Sequence, residues 1–278
     1  MKKILVPTDG SPLGDYAYNL AHQIAEKVQA DIEILSIVPA PPDSFFDMNG
    51  EIKSDEGENL SHLLEQKEKL EREINDWAKE KKDITQIRVK IGRVDEDIVQ
   101  YATERKADLI VMGTGGATGV DEWIRSTHAA HIVRTSPVPV LTLKCDRSLV
   151  SISHLLLVGG FDKPEEMDLK MVRVLQQAFH STIHLLRINT PGDFETNRNI
   201  TSNMTDFVTA NQLENVEMHV YCEETIEKGI ENFCKDSHID FVLMGTHQRK
   251  GLSRLFKKSI SENVVNHVWQ PIMTFHVH

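Results

Sequence analysis

The feature of this chain that most constrains its fold is an internal duplication. Residues 108–114 read DLIVMGT, and residues 240–246 read DFVLMGT. Downstream, VPVLTL at 138–143 recurs as QPIMTF at 270–275. A repeat of roughly 130–150 residues is too long for a solenoid unit and is typical of one domain. The chain is therefore predicted to hold two copies of one domain.

Both copies have short apolar strands alternating with longer amphipathic segments. In the first copy, strands are predicted at Lys3–Pro7, Asp31–Val38, Ile87–Ile91, Leu109–Met112 and Val138–Leu143. Apolar residues at helical spacing predict the intervening helices, the last of them over Ser126–Thr135. This order predicts an α/β protein of two tandem, doubly wound, five-stranded parallel-sheet domains, over residues 1–146 and 151–278.

Composition excludes several classes of partner. The formal net charge of −11 argues against general affinity for nucleic acid or for an anionic membrane. The sequence has no run of eighteen apolar residues, so no membrane span is predicted. Three cysteines are spaced neither as a disulfide framework nor as a zinc knuckle, which favours idle thiols in a cytoplasmic protein.

The loops after strands one and four hold the candidate ligand-binding residues. In a doubly wound sheet, ligands bind beyond the carboxyl ends of the strands, where the strand order reverses. Gly113 and Gly116 follow strand four and would let backbone amides approach a phosphate. Ser126 and Thr127 are predicted at the next helix start, and Asp9 follows strand one. The alternative is that the glycines only shape a tight loop.

These segments carry a family resemblance. The opening ILVPTDGS, the strand ADLIVMGT and the closing SPVPVL resemble the universal stress protein family in its tandem form. The resemblance implies an adenine nucleotide alpha hydrolase-like fold whose copies pack through their last strands. Many members bind ATP through a Gly-x-x-Gly, nine-residue gap, Gly-Ser/Thr pattern, which Gly113, Gly116 and Thr127 match.

The resemblance also implies further nucleotide contacts, and the chain departs from the family pattern at two places. Pro7, Asp9, Val38 and Met112 fall where nucleotide-contacting residues lie in the family. Ser126 stands where the family has a glycine, and Asp121-Glu122 where basic residues are common. Two carboxylates beside a triphosphate would repel it unless a divalent cation lies between, so both departures weaken the ATP interpretation. The expected cofactor is ATP, with Mg²⁺ as the intervening cation.

The second copy departs further from the pattern. Aligning Lys3–Val6 with Leu155–Val158 places Phe161 at the position of Asp9. Gln248 and Lys258 replace two glycines of the phosphate pattern, which predicts that ordinary ATP binding is lost. The basic stretch around them is interpreted either as a solvated face or as a site for an anion or an acidic partner; it comprises Arg249, Lys250, Arg254, Lys257 and Lys258.

No catalytic or metal site is predicted. His128 and His131 are predicted to share a helix face near the candidate nucleotide site, and His276 and His278 alternate at the end of the sequence. Neither pair has a third ligand readable from sequence. Nothing identifies a general base, although Asp121 or Glu122 holding magnesium leaves slow ATP hydrolysis open.

Two functions from different classes remain. The first is a non-catalytic cytoplasmic stress-response protein that binds an adenine nucleotide in its first domain and thereby alters contacts with an unidentified protein partner. The second is a nucleotide-independent interaction module with two vestigial sites. By the resemblance, two chains can also associate as a homodimer.

Overall fold

The alternation of strands and helices is confirmed in the computed structural model. It describes residues 1–40, 57–114, 120–147, 151–162, 167–247 and 268–277, with backbone alone at 57–59, 120–127, 246–247 and 276–277. The first copy comprises β1 Lys3–Pro7, α1 Pro12–Val28, β2 Asp31–Pro39, α2 Gly57–Ala78, β3 Ile84–Gly92, α3 Val94–Glu104, β4 Leu109–Gly113, α4 Val120–Thr135 and β5 Val140–Leu143. The second comprises β6 His154–Val158, α5 Lys170–Phe179, β7 Thr182–Asn189, α6 Asn197–Ala210, β8 Val216–Cys222, α7 Ile226–Asp236, β9 Phe241–His247 and β10 Ile272–Val277.

The strands form one sheet of ten, in the order β3-β2-β1-β4-β5-β10-β9-β6-β7-β8. All neighbours are parallel except β5 and β10, which pair antiparallel where the two copies meet. The expected packing through the last strands is therefore confirmed. Since the sheet is continuous, the division at 1–146 and 151–278 stays a prediction.

Helices cover both faces of the sheet, which explains why its central strands are apolar throughout. In the first copy, α1 and α2 cover the face that carries Ile4 and Ile34, while α3 and α4 cover the face that carries Leu5 and Leu35. In the second copy α5 and α6 lie on the first of these faces, and α7 lies on the other. The two copies thus share one architecture, and their positions can be compared strand by strand.

Matching hydrogen bonds set the register between the copies. The backbone N–H of Lys3 donates to Oδ2 of Asp108 at 3.1 Å, and that of His154 donates to Oδ2 of Asp240 at 2.9 Å. Ile4 pairs with Leu109 as Leu155 pairs with Phe241. Lys3 therefore corresponds to His154, and the alignment of Lys3 with Leu155 was wrong by one residue.

The corrected register changes the interpretation of Phe161. It places Phe161 at the position of Gly10 and Gly160 at the position of Asp9. Both Gly10 and Phe161 have positive φ, at 78° and 62°, as equivalent turn residues should. The second copy still lacks the carboxylate, because glycine has no side chain to supply one.

The last helix of the first copy begins earlier than predicted. Helix α4 starts at Val120, so Ser126 and Thr127 lie inside it and not at its N-terminus. Only the first four backbone N–H groups of a helix are free of intrahelical partners. Ser126 and Thr127 therefore cannot offer those amides to a phosphate. The sequence has two signals for the start of this helix, Ser126-Thr127 and the acidic pair Asp121-Glu122. Acidic residues are favoured in a first helical turn, and the structure agrees with the acidic pair.

None of the helices in the described part of the chain combines the length and apolar character needed to cross a bilayer.

Candidate functional site

A cavity of about 560 Å³ lies across the carboxyl edge of the first copy's strands. The strand order reverses there, since β1 lies between β2 and β4. Five residues predicted as nucleotide contacts line it: Pro7, Asp9, Val38, Met112 and Gly113. They come from three different strand ends and meet only because those strands are adjacent and parallel. The volume is within the roughly 300–1,000 Å³ typical of small-molecule sites.

A tight turn after β1 shapes one wall of the cavity. Gly10 has a φ of 78°, and its backbone N–H donates to Oγ1 of Thr8 at 3.0 Å. The N–H of Ser11 donates to Oδ1 of Asp9 at 3.1 Å. These bonds orient Asp9, which is exposed and lines the cavity. Its carboxylate can accept hydrogen bonds from a ligand hydroxyl.

Gly113 allows the end of β4 to lie against the start of α1. A Cβ atom on Gly113 would lie 2.5 Å from the carbonyl oxygen of Leu13 and 2.8 Å from its Cβ. Because the nearest atom belongs to the backbone, a rotamer change could not relieve the contact. Glycine is thus required here for close packing.

Gly113→Ala is expected to lower the free energy of unfolding by about 1–3 kcal/mol through overpacking. Gly192→Ala is the matched control, since a Cβ there would meet nothing within 4 Å; its effect should stay within about 0.5 kcal/mol. Urea denaturation followed by tryptophan fluorescence measures both. Equal stability of the two variants would contradict the described packing of α1 on β4.

The cavity wall is mainly apolar. Besides the strand ends, its side chains come from α2, α3 and α4, including Leu70, Ile98 and Ile132. None of the described lining residues is lysine or arginine. Such a wall suits the flat face of a base better than it suits a phosphate chain.

The sequence pattern predicted His128 of α4 near this site, but not the contribution of α2 to its wall. Gln66 and Leu70 face the cavity one helical turn apart on α2, and His128 faces it from α4. The signal was the continuation of the apolar stripe of α2 through Leu63 and Leu70. Which end of that stripe reaches the strand ends depends on how α2 packs, which periodicity does not specify.

His128 belongs to a small polar group at the edge of the cavity. Its Nδ1 lies 3.7 Å from Oδ1 of Asp95, and Nδ1 of His131 lies 3.0 Å from Oδ2 of Asp95. The two histidines predicted to share a helix face thus converge on one carboxylate in the first turn of α3. Asp95 is the carboxylate neighbour that the two imidazoles share.

Three predicted site residues are not placed at the cavity by the structure. Gly116 lies outside the described residues. Ser126 and Thr127 are described as backbone within α4 only. Of the second copy's basic stretch, residues 249–258 also lie outside the described part of the chain.

Comparison with known proteins identifies the family. The model of the Universal stress protein family matches residues 1–144 and 160–276. The chain belongs to the universal stress protein family. The two matched segments correspond to its two copies, so this is a tandem member.

Individual universal stress proteins show the same relationship. One from Methanocaldococcus jannaschii is 28% identical over 151 residues, which cover 51% of this chain and 82% of that protein. A second from that organism is 27% identical over 160 residues, covering 51% and 94%. A crystal structure of a universal stress protein from Archaeoglobus fulgidus has a TM-score of 0.69 at 17% identity and covers 99% of this chain and 98% of that chain. The last likeness is one of fold.

The two universal stress protein copies differ at their carboxyl edges. In the second copy the ring of Phe161 is buried and packs edge-on against Phe207, with centroids 5.0 Å apart. Asn189 occupies the position of Val38, and its amide exchanges two hydrogen bonds of 3.0 Å with the backbone of Glu195. These side chains occupy the region that corresponds to the first copy's cavity wall.

Proposed function

We propose that the first copy binds an adenine nucleotide, with ATP as the leading ligand, and that binding alters contacts with a protein partner. The cavity at the strand-order reversal, lined by five of the eight expected contact residues, carries the proposal. The proposed function is one of binding, without a catalytic step.

The lining indicates how the nucleotide would be held. Leu70, Ile98 and Met112 offer an apolar enclosure for the base, and the exposed amide of Gln66 can bond its polar edge. Asp9 would accept hydrogen bonds from the ribose hydroxyls. The phosphates would extend past Gly113 toward the segment that contains Gly116. With no lysine or arginine among the described lining residues, Mg²⁺ is the proposed counter-charge.

We further propose one nucleotide per chain. The second copy has Gly160 where the first has Asp9, so it lacks the acceptor for ribose. The buried ring of Phe161 and the bonded Asn189 replace an open wall with packed side chains.

A nucleotide-independent interaction module is the second candidate. The absence of lysine and arginine from the described cavity lining favours it, because a bound triphosphate needs a source of positive charge. In this case the cavity would be a vestige, and the partner would bind regardless of nucleotide.

A cytoplasmic location is part of the proposal. Cys145, Cys222 and Cys234 are all free thiols. Burial raises the pKa of the Cys234 thiol to about 12, so it stays protonated and unreactive. Three unpaired cysteines are usual in a reducing compartment.

The test is to measure ATP binding to the full chain by calorimetry, with Mg²⁺ present. Asp9→Ala is expected to weaken binding about 10- to 150-fold, because hydrogen bonds to a charged group contribute about 1.5–3 kcal/mol. Asp162→Ala is the matched control, an exposed aspartate after the equivalent turn of the second copy. It should leave the affinity unchanged.

Stoichiometry separates the remaining outcomes. One nucleotide per chain with loss in Asp9→Ala supports the proposal. Two per chain would contradict the loss of the second site. A wild-type protein that neither releases a nucleotide on denaturation nor binds added ATP, ADP or AMP would favour the interaction module.

A further inference from the structure

A cluster of imidazoles lies at the opposite end of the second copy's sheet from its carboxyl edge. His154, His184 and His219 come from the adjacent strands β6, β7 and β8, and Glu217 lies beside them on β8. All four project from the face that α7 covers, where the ring of Phe233 lies 5.0 Å from that of His219. Strand pairing brings His184 directly opposite Glu217.

Three ligand atoms of this cluster face a common point. Nδ1 of His184 lies 3.0 Å from Nε2 of His219 and 3.5 Å from Oε2 of Glu217. Nε2 of His219 lies 3.8 Å from the same carboxylate oxygen. Zinc bonds of about 2.0–2.1 Å in a tetrahedron require ligand atoms roughly 3.3–3.4 Å apart. The three observed separations bracket that value.

We propose that His184, His219 and Glu217 bind one zinc ion, with the fourth position open to solvent. Two imidazoles and one carboxylate are a donor set that zinc uses, and three protein ligands leave its tetrahedral site incomplete. Glu217 is 60% exposed and His219 29% exposed, so an ion can enter from the solvent side. The same carboxylate would close on the ion after entry.

His154 supplies the outer contact that such a site needs. Its Nδ1 lies 3.0 Å from Nε2 of His184, the ring nitrogen that faces away from the three ligand atoms. With the proton on Nε2, His184 donates to His154 and presents its Nδ1 lone pair to the metal. Metal-binding histidines ordinarily donate their second ring N–H in this way.

The first copy shows what this position holds without metal ligands. In the register of the two copies, Glu33 corresponds to His184, and Lys3 corresponds to His154. Glu33 is 3% exposed and pairs with Lys3 at 3.0 Å and with Arg105 at 2.8 Å. Burial raises the pKa of the Glu33 carboxyl, but hydrogen bonds from Arg105 and Lys3 outweigh burial and hold it below its usual value. Lys3 and Arg105 thus neutralise the buried carboxylate of Glu33.

The second copy has lost those cations. Histidine replaces Lys3, and Ser237, which follows α7 as Arg105 follows α3, replaces the arginine. Gln86, which pairs with Glu33, is replaced by Glu217, which pairs with His184. The position therefore keeps a carboxylate and gains imidazoles while it loses both fixed positive charges. A divalent cation restores the missing charge.

Burial also keeps the two ligand imidazoles in the form that binds metal. Desolvation lowers the pKa of His184 and of His219, although the Glu217 carboxylate opposes this shift in both. Neutral imidazole is the metal ligand. The competing arrangement is a plain chain of hydrogen bonds from His219 through His184 to His154, which needs no ion.

Zinc would join β8 to β7. Among the strands that the structure describes, β8 lies at the edge of the sheet and pairs with β7 alone. His184 lies on β7, whereas Glu217 and His219 lie on β8. An ion held by both strands binds the folded chain more tightly than the unfolded one, so it should raise the melting temperature in a concentration-dependent way.

The test is zinc binding to the full chain, with any affinity tag removed because polyhistidine binds the same ions. Zn²⁺ is titrated by calorimetry, and Co²⁺ is used as a spectroscopic probe, since four-coordinate Co²⁺ has intense visible absorption. We expect one Zn²⁺ per chain, at least about 10-fold weaker in His219→Gln or Glu217→Gln. His154→Phe removes the outer acceptor and should weaken binding about 10- to 100-fold while the ligand set stays intact.

Two control variants remove the other histidine pairs. His276→Gln/His278→Gln eliminates the alternating pair at the end of the sequence, and His131→Gln eliminates the partner of Asp95; both should bind Zn²⁺ like the wild type. Circular dichroism confirms that each variant is folded. The proposal is overturned if wild type and His219→Gln bind Zn²⁺ equally, or if either control variant is the one that loses it.

Discussion

Phe161→Ala is expected to lower the free energy of unfolding by about 3–5 kcal/mol, the usual cost of truncating a buried phenylalanine. The ring is 2% exposed and packs against Phe207. Phe161 also has a φ of 62°, a conformation that is strained for a bulky residue. Packing at this turn therefore outweighs a backbone cost of about 1–3 kcal/mol.

Two further substitutions separate packing from backbone strain. Phe161→Gly should be as stable as Phe161→Ala or more stable, by up to about 1 kcal/mol of unfolding free energy. The reason is that glycine adopts positive φ without strain. Phe194→Ala is the control: this phenylalanine of the same copy is 71% exposed, so its loss should change stability by less than about 0.5 kcal/mol. Chemical denaturation measures all three. A glycine variant clearly less stable than the alanine variant would contradict the strained turn.

The error in aligning Phe161 shows what sequence reasoning could and could not predict. Apolar runs bounded by proline and glycine predicted β1 with its observed bounds, Lys3–Pro7. The matching run of the second copy consists of similar apolar residues. The apolar residues of the first run can therefore be aligned one position out of register and still lie opposite apolar residues. The side-chain bonds of Asp108 and Asp240 resolve this ambiguity, and they are visible only in three dimensions.

The candidate site was predictable where it depends on strand ends and unpredictable where it depends on packing. Pro7, Val38 and Met112 meet because parallel strands end at one edge, which the order of elements implies. The contribution of His128 depends on how α4 packs on the sheet. The zinc cluster was missed because His184 and His219 are far apart in sequence, and only the pairing of β7 with β8 brings them together.

Removing the carboxylate partners of Arg187 is expected to be as severe as truncating Phe161. Arg187 is 1% exposed at the end of β7, and its Nη2 donates to Asp193 Oδ2 at 2.8 Å and to Glu195 Oε1 at 3.1 Å. Its Nε and Nη1 have no hydrogen-bond partner among the described residues. Asp193→Ala/Glu195→Ala removes both carboxylates and keeps the acceptor in the backbone carbonyl of Asp193, at 3.3 Å. The buried charge then has no ion-pair partner among the described residues, which should cost about 3–5 kcal/mol.

Arg187→Met should cost less, under about 2 kcal/mol, although it breaks the same two ion pairs. It removes the buried charge, and the carboxylates left behind are 29% and 32% exposed and can be hydrated. Asn189 still holds the backbone of Glu195 in both variants, so the loop is retained. The free energies of unfolding are compared from the urea midpoints of the variants, with one m-value for all of them. If Arg187→Met were as destabilising as the double variant, the guanidinium would act mainly through packing. The expected order instead means that burial of charge dominates at this edge.

Ser36, the counterpart of Arg187 in the first copy, is a small neutral residue whose hydroxyl donates to the carbonyl of Thr8 beside the cavity. At the same position the second copy therefore has a buried arginine whose charge is balanced by Asp193 and Glu195.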